Sequence, residues 1–86
     1  MKQFDYTIRN PQGMDIRRTG LLAKLAKRYT DTTITVEKGG QAANADQLMR
    51  MMSLAVKNGD KIVVTVNGPA EDSAIFNTRR FCESNL

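Results

Sequence analysis

The run KIVVTV at residues 61–66 limits the fold more than any other part of the chain. Five of its six residues are β-branched. Such side chains fit a pleated, extended backbone better than a helix, so the run predicts a strand. A second strand is predicted in QFDYTIR, where Phe4, Tyr6 and Ile8 alternate with polar residues. We therefore expect a sheet with one buried face.

A β-hairpin is predicted between these two strands, in TTITVEKGGQAAN. Ile34 and Val36 hold alternate, inward positions in its first arm, Gly39 and Gly40 favour a tight turn, and a short return strand follows. The dipeptide NG at residues 58–59 predicts a further turn just before the β-branched strand.

The first helix is predicted from residue 16 to about residue 29, after the turn sequence NPQG. Asp15 precedes this helix, and an Asp side chain there can accept first-turn N–H groups, which is worth ~1 kcal/mol. Its charge also suits the positive end of the helix dipole. We therefore expect Asp15 to be the N-cap. The face with a three- and four-residue spacing consists of Thr19, Leu22, Ala26 and Tyr29.

A short second helix is predicted in QLMRMMSL, with Asp46 as its expected cap. One and a half turns cannot bury all of its apolar residues against a single sheet, so some should face water. Core filling and a partner-binding surface both remain open for each of them. These residues are Leu48, Met49, Met51 and Met52.

The last helix is expected to begin near Pro69, with Glu71 and Asp72 in its first turn. Its basic residues, Arg79 and Arg80, are expected toward its end. The predicted order is β, α, β, β, α, β, α in one domain, residues 1–86. This order indicates an α+β fold, with a four-stranded antiparallel sheet and three helices on one face. The apolar face of the last helix is predicted to contain Ala74, Ile75, Phe81 and Cys82.

The chain has one cysteine and no histidine. Cys82 cannot form an internal disulfide, which suggests a reducing compartment and hence the cytoplasm. Because Cys82 lies within an apolar helical pattern, we interpret it as a buried small hydrophobe in preference to a reactive thiol. Soft ligands are too few for a metal site, and we expect no cofactor. No apolar run approaches the ~18 residues of a membrane helix, so no membrane contact is expected.

The net charge of +4 is concentrated near the start of the chain. Residues 1–28 hold seven Lys or Arg against two Asp, whereas residues 29–86 hold six against seven acidic residues. A basic patch of this kind favours an acidic protein surface, a phosphate or a nucleic acid, and it is also compatible with a solvated face. Because exposed aromatic pairs and zinc ligands are missing, the sequence argues against nucleic acid.

Two stretches of the sequence resemble HPr phosphocarriers, small cytoplasmic proteins of the bacterial phosphoenolpyruvate-dependent sugar phosphotransferase system. NPQGMDIRRTG resembles their active-site segment. GGQAANADQLMRMMSLAVKNGDKIVVTVNGPAEDSA resembles their hairpin, regulatory helix, fourth strand and last-helix start. The resemblance covers nearly the whole chain. It implies an open-faced β-sandwich fold and a protein that is not an enzyme. The partners it implies are enzyme I, the IIA-type transporter subunits or a regulator.

The resemblance places Asp15 where the family has its phosphorylated histidine. Arg17 matches the family arginine, Arg18 replaces a proline, and Gln47 stands at the regulatory serine of some members. Phosphohistidine carriage is excluded, because it needs an imidazole and the chain has none. Without the histidine, the resemblance still implies an anion-binding site. It would consist of the backbone amides at the helix start and of guanidinium groups, at Ile16, Arg17 and Arg18.

Three hypotheses for Asp15 remain open. It is only a helix cap, or its charge imitates a phosphorylated site, or it accepts a phosphoryl group as an acyl phosphate that Arg17 and Arg18 would stabilise. The resemblance also implies a docking surface, in which a charged rim surrounds an apolar centre. The rim would be Arg17, Lys24 and Lys27, and the centre Leu48, Met49 and Met52.

Overall fold

A computed structural model describes residues 1–86 as four strands and three helices. Their order confirms the predicted sequence of elements. The longest helix has 15 residues, and none is long and apolar enough to cross a membrane. The elements are β1 (Lys2–Thr7), α1 (Ile16–Ala26), β2 (Thr33–Lys38), β3 (Gln41–Asn44), α2 (Leu48–Met52), β4 (Lys61–Asn67) and α3 (Glu71–Asn85).

The four strands form one antiparallel sheet in the order β1-β4-β2-β3. β4, the β-branched run, lies inside the sheet, with β1 on one side and β2 on the other. Val64 faces Phe4 of β1 and Val36 of β2, and Val36 in turn faces Ala43 of β3. All four of these side chains are buried. This row across the sheet forms the centre of the core.

The three helices cover one face of the sheet, as predicted. Each helix contributes buried side chains to the same core, including Leu22 from α1, Met51 from α2 and Cys82 from α3. The opposite face is open, and none of the side chains in its central row is buried. That row, in register across the strands, is Gln3, Thr65, Thr35 and Asn44.

The end of α1 differs from the sequence-based prediction, whereas the end of α3 agrees with it. α1 ends at Ala26 and not near Tyr29. The Tyr29 N–H donates to the Ala26 carbonyl at 3.1 Å, an i to i−3 bond that tightens the chain into a turn. α3 runs to Asn85, one residue past the predicted stretch, and Arg79 and Arg80 lie in its second half as predicted.

The prediction that Asp46 caps α2 was wrong. The N-cap is Gln47, and its side chain makes no capping bond. A turn precedes the helix, closed by the Gln47 N–H, which donates to the Asn44 carbonyl at 3.1 Å. This turn moves the N-cap one residue beyond Asp46, to Gln47, and the Asp46 side chain is exposed.

The loop between β1 and α1 is fixed against the loop that precedes β4. The Met14 N–H donates to the Val56 carbonyl at 3.1 Å. Gly13 has φ +64, and a Cβ at this position would lie 2.7 Å from the Val56 carbonyl oxygen. Only glycine fits such a close approach in this backbone conformation. The contact fixes where the chain enters α1.

Lys38, at the end of β2, holds both ends of the loop before β4. Its ammonium donates to the Ala55 carbonyl at 2.7 Å and pairs with the Asp60 carboxylate at 2.8 Å. Ala55 has φ +53, a conformation that costs a residue with a Cβ about 1 kcal/mol. The Lys38 ammonium, followed by the Lys57 backbone N–H, holds the pKa of Asp60 below its usual value. Since Asp60 prefers to be charged when folded, this contact stabilises the loop near neutral pH and weakens in acid.

We expect Gly13→Ala to lower the free energy of unfolding by about 3 kcal/mol, because the added methyl meets backbone atoms that cannot move aside. Gly39→Ala is the matched control. Gly39 also has positive φ, but a Cβ there would have no atom within 4 Å. It should cost about 1 kcal/mol. Urea denaturation of both variants measures the difference, and equal losses would show that the close approach at Gly13 contributes nothing.

Candidate functional site

Asp15 is the N-cap of α1, which confirms the prediction. Its backbone is extended, with φ −71° and ψ 171°. Its Oδ1 atom accepts the Arg18 N–H at 2.9 Å, and its carbonyl accepts the Thr19 N–H at 2.9 Å. The side chain therefore takes up one of the first-turn donors that a helix leaves without a partner.

The second carboxylate oxygen of Asp15 is also occupied. Oδ2 lies 2.8 Å from Nη1 of Arg18, in an ion pair whose two side chains are about 30% exposed. The same Nη1 donates to Oε1 of Gln12 at 3.2 Å. Both oxygens of the carboxylate thus contact Arg18, one through its backbone and one through its side chain.

The three residues predicted to bind an anion differ in what they leave free. Arg18 gives its N–H and its guanidinium to Asp15. Ile16 and Arg17 are exposed, and no protein atom accepts their backbone N–H groups. The Arg17 side chain likewise has no ion-pair or hydrogen-bond partner within the chain. Two amides and one guanidinium therefore remain available at the start of α1.

α2 presents apolar surface beside α1, and the two helices are in contact. Met49 is 72% exposed, whereas Met51 is only 1% exposed. Leu48 and Met52 are half-buried. This confirms the expectation that some of the four apolar residues of α2 face water. Met51 fills the core.

The sequence did not predict that Ile16 would be part of the apolar docking surface. Ile16 is 62% exposed and belongs to the first turn of α1. Its exposure could not be deduced from its residue type. The helical spacing offers a weak signal, because Ile16 does not fall on the stripe formed by Leu22 and Ala26. We define the α1–α2 surface as Ile16, Arg17, Lys24 and Lys27 with Leu48, Met49 and Met52.

The remaining cations of the predicted docking rim lie in the last turn of α1 and at its C-cap, and both are exposed. They are Lys24 and Lys27, and neither has an ion-pair partner in the chain. Residues 16–30 contain five Lys or Arg and no acidic residue. Arg18 is paired with Asp15, but the other four have no ion-pair partner, so this segment carries uncompensated positive charge that attracts acidic surfaces.

Cys82 is fully buried in α3. Burial raises the pKa of its thiol to about 12, and the Glu83 carboxylate adds to the shift. The group is therefore a neutral thiol at physiological pH, and it fills the core as predicted. It does not provide a nucleophile.

Comparison with known proteins gives consistent matches. A family model described as "PTS HPr component phosphorylation site" matches residues 2–84. Phosphocarrier protein HPr of Mycoplasma genitalium is 27% identical, over 99% of this chain and 97% of that protein. The HPr-like protein Crh of Bacillus subtilis is 32% identical, over 87% of each. The crystal structure of HPr-C-His from Thermoanaerobacter tengcongensis is similar with a TM-score of 0.91 and 31% identity, over 98% of this chain and 93% of that one.

We expect Asp15→Ala to lower the free energy of unfolding by about 1 kcal/mol, because α1 loses its cap and Arg18 loses its partner. Asp46→Ala is the matched control. It removes an exposed Asp just before α2 that makes no capping bond, and should change stability by less than about 0.5 kcal/mol. Urea denaturation measures both, and an Asp15→Ala variant as stable as the control would contradict the capping role.

Proposed function

Because the chain belongs to the HPr family of phosphocarrier proteins, we propose that it is an interaction or regulatory member of that family. Proteins of this family are phosphoryl carriers and not enzymes, and they work with other proteins of the phosphotransferase system. In this proposal the chain acts in the bacterial cytoplasm and docks on enzyme I, on a IIA-type subunit or on a regulator. It transfers no phosphoryl group.

The observation that carries this proposal is the absence of histidine from the chain. Phosphohistidine transfer requires a neutral imidazole nitrogen as nucleophile and a labile P–N bond for the return step. We take Asp15 as the counterpart of the family histidine and Gln47 as the counterpart of the regulatory serine. An amide at residue 47 offers no hydroxyl to phosphorylate, so regulation by phosphorylation at this position is also lost.

The contacts of Asp15 favour the cap over the phosphate imitation. A phosphoryl group carries about two negative charges, whereas the carboxylate carries one. That one charge is paired with the Arg18 guanidinium at 2.8 Å, so the site presents little net negative charge to a partner. The exposed guanidinium of Arg17 and the free first-turn amides instead favour docking against an acidic group.

The α1–α2 surface has the composition that docking requires. Its centre contains exposed or half-buried apolar side chains, chiefly Met49, Leu48 and Ile16, and its rim contains cations without partners in the chain. Apolar contact at the centre gives affinity, while the rim steers an acidic partner into place. The similarity to Crh, a protein described as HPr-like and not as a phosphocarrier, also supports an interaction or regulatory role.

A second candidate function is phosphoryl carriage through an acyl phosphate on Asp15. One observation favours it: the Arg18 guanidinium and the free N–H groups of Ile16 and Arg17 would surround the transferred group and stabilise its charge. Against it, Oδ2 must leave Arg18 before it can attack phosphorus. While the 2.8 Å contact is intact, the Arg18 guanidinium makes the carboxylate a poor nucleophile.

We expect no phosphoryl adduct on the chain after incubation with phosphoenolpyruvate and the enzyme I of the same bacterium, as measured by intact mass. Asp15→His supplies the missing nucleophile and should yield an adduct if the remainder of the site, including Arg18, is competent. An adduct on the unchanged chain that hydroxylamine removes, and that Asp15→Asn abolishes, would support the acyl phosphate carrier and contradict the proposal.

We expect Arg17→Glu combined with Met49→Asp to weaken binding to enzyme I or a IIA-type subunit by about tenfold or more, because rim and centre are both lost. Thermal stability should stay nearly unchanged, since both side chains are exposed. The matched control is Arg80→Glu with Phe76→Asp, which makes the same change in charge and also replaces one apolar residue, at exposed positions of α3. Isothermal titration measures the affinities, and equal loss in both double variants would contradict the proposed surface.

A further inference from the structure

A groove lies on the other flank of α1, where this helix packs beside α3. Its volume is about 410 Å³. Leu21 is 46% exposed, and Leu25 and Phe81 are half-buried, so the groove presents apolar surface to water. The side chains that line it are Leu21, Lys24 and Leu25 from α1, Arg28 from the turn that follows α1, and Asn77 and Phe81 from α3.

The groove shares one lining residue, Lys24, with the α1–α2 surface, and Arg17, one turn before Leu21, lies with Lys24 on the crest of α1 between them. Leu21 and Ile16 are five residues apart and therefore about 140° apart around the helix axis. Lys27 lies about 120° from Leu21 by the same spacing. A partner in the groove would contact α1 and α3, whereas a partner on the α1–α2 surface would contact α1 and α2.

The charged groups of the groove are two cations. Lys24 and Arg28 are exposed, and neither makes an ion pair or a hydrogen bond within the chain. No acidic residue lines the groove. The amide of Asn77 is already used, because it donates to the Tyr29 hydroxyl at 2.8 Å. The groove therefore combines an apolar floor with unpaired positive charge at its edge.

We infer that this groove binds an acidic amphipathic helix of a partner protein. Leu21 and Leu25 lie one turn apart on α1, and Arg28 follows in the turn that ends the helix, so this side of the groove is about 10 Å long. Two turns of a helix match this length. Apolar side chains spaced by three or four residues would contact Leu21, Leu25 and Phe81, and flanking carboxylates would meet Lys24 and Arg28. The inference does not depend on Asp15 or on α2.

The probe is a synthetic helical peptide with leucines at i, i+4 and i+7 and glutamates on both sides of this stripe. We expect it to shift the backbone amide NMR signals of Leu21, Leu25 and Phe81 in the ¹⁵N-labelled protein, with an affinity that falls as salt is added. Arg28→Glu should weaken binding about fivefold, and Leu21→Ser by a similar factor. Met49→Ser, which alters only the α1–α2 surface and adds no charge, should leave the affinity unchanged.

Three results would overturn the inference. The first is the absence of shifts at millimolar peptide. The second is equal binding of a peptide in which lysines replace the glutamates, or binding that neither Arg28→Glu nor Leu21→Ser reduces. The third is a set of shifts centred on Ile16 and Met49. Two other occupants of the groove would also overturn the inference. Dodecanoate that binds there while the peptide does not would identify a site for a small amphiphile. Concentration-dependent dimerisation through the groove would identify a second copy of the chain as the occupant.

Discussion

The pairing of β4 with both β1 and β2 is the interaction on which the remainder of the structure depends. It places Val64 between Phe4 and Val36 and buries the row that all three helices cover. The loop that leads into β4 also supports the candidate site. The Val56 carbonyl accepts the Met14 N–H, and Gly13 lies against the same backbone. The sheet therefore sets the position of Asp15 at the start of α1, because the loop between β1 and α1 packs against the loop that precedes β4.

Asp15 illustrates how stability and phosphoryl chemistry oppose each other at a helix start. The free amides and the dipole of α1 attract a negative group, whether it is a resident side chain or a bound phosphate. A carboxylate at the N-cap supplies that charge permanently and forms an ion pair with Arg18. The helix gains a cap, and the amide of Arg18 is no longer available to a ligand. Only Ile16 and Arg17 keep free amides, so anion affinity at this helix start should be reduced.

Local patterns predicted the parts of this fold that local chemistry determines. The alternation of Phe4, Tyr6 and Ile8, the β-branched run and the cap at Asp15 each follow from short-range backbone preferences. The Asp46 prediction failed because a preceding backbone turn, and not the residue type, decides where α2 begins. The groove between α1 and α3 could not be predicted, because residues 56 positions apart, Leu25 and Phe81, meet only in the folded chain.

The two surfaces of α1 are expected to influence each other electrostatically. Both are positive for the same reason, namely that residues 16–30 carry five cations and no acid. A helix with its side chains is about 10 Å across, close to the Debye length of about 8 Å at physiological salt. An acidic partner on one flank would therefore lower the positive potential felt on the other, and it would also compete for Lys24, which belongs to both surfaces. Two acidic partners would bind with weak negative cooperativity, which low salt strengthens and high salt removes.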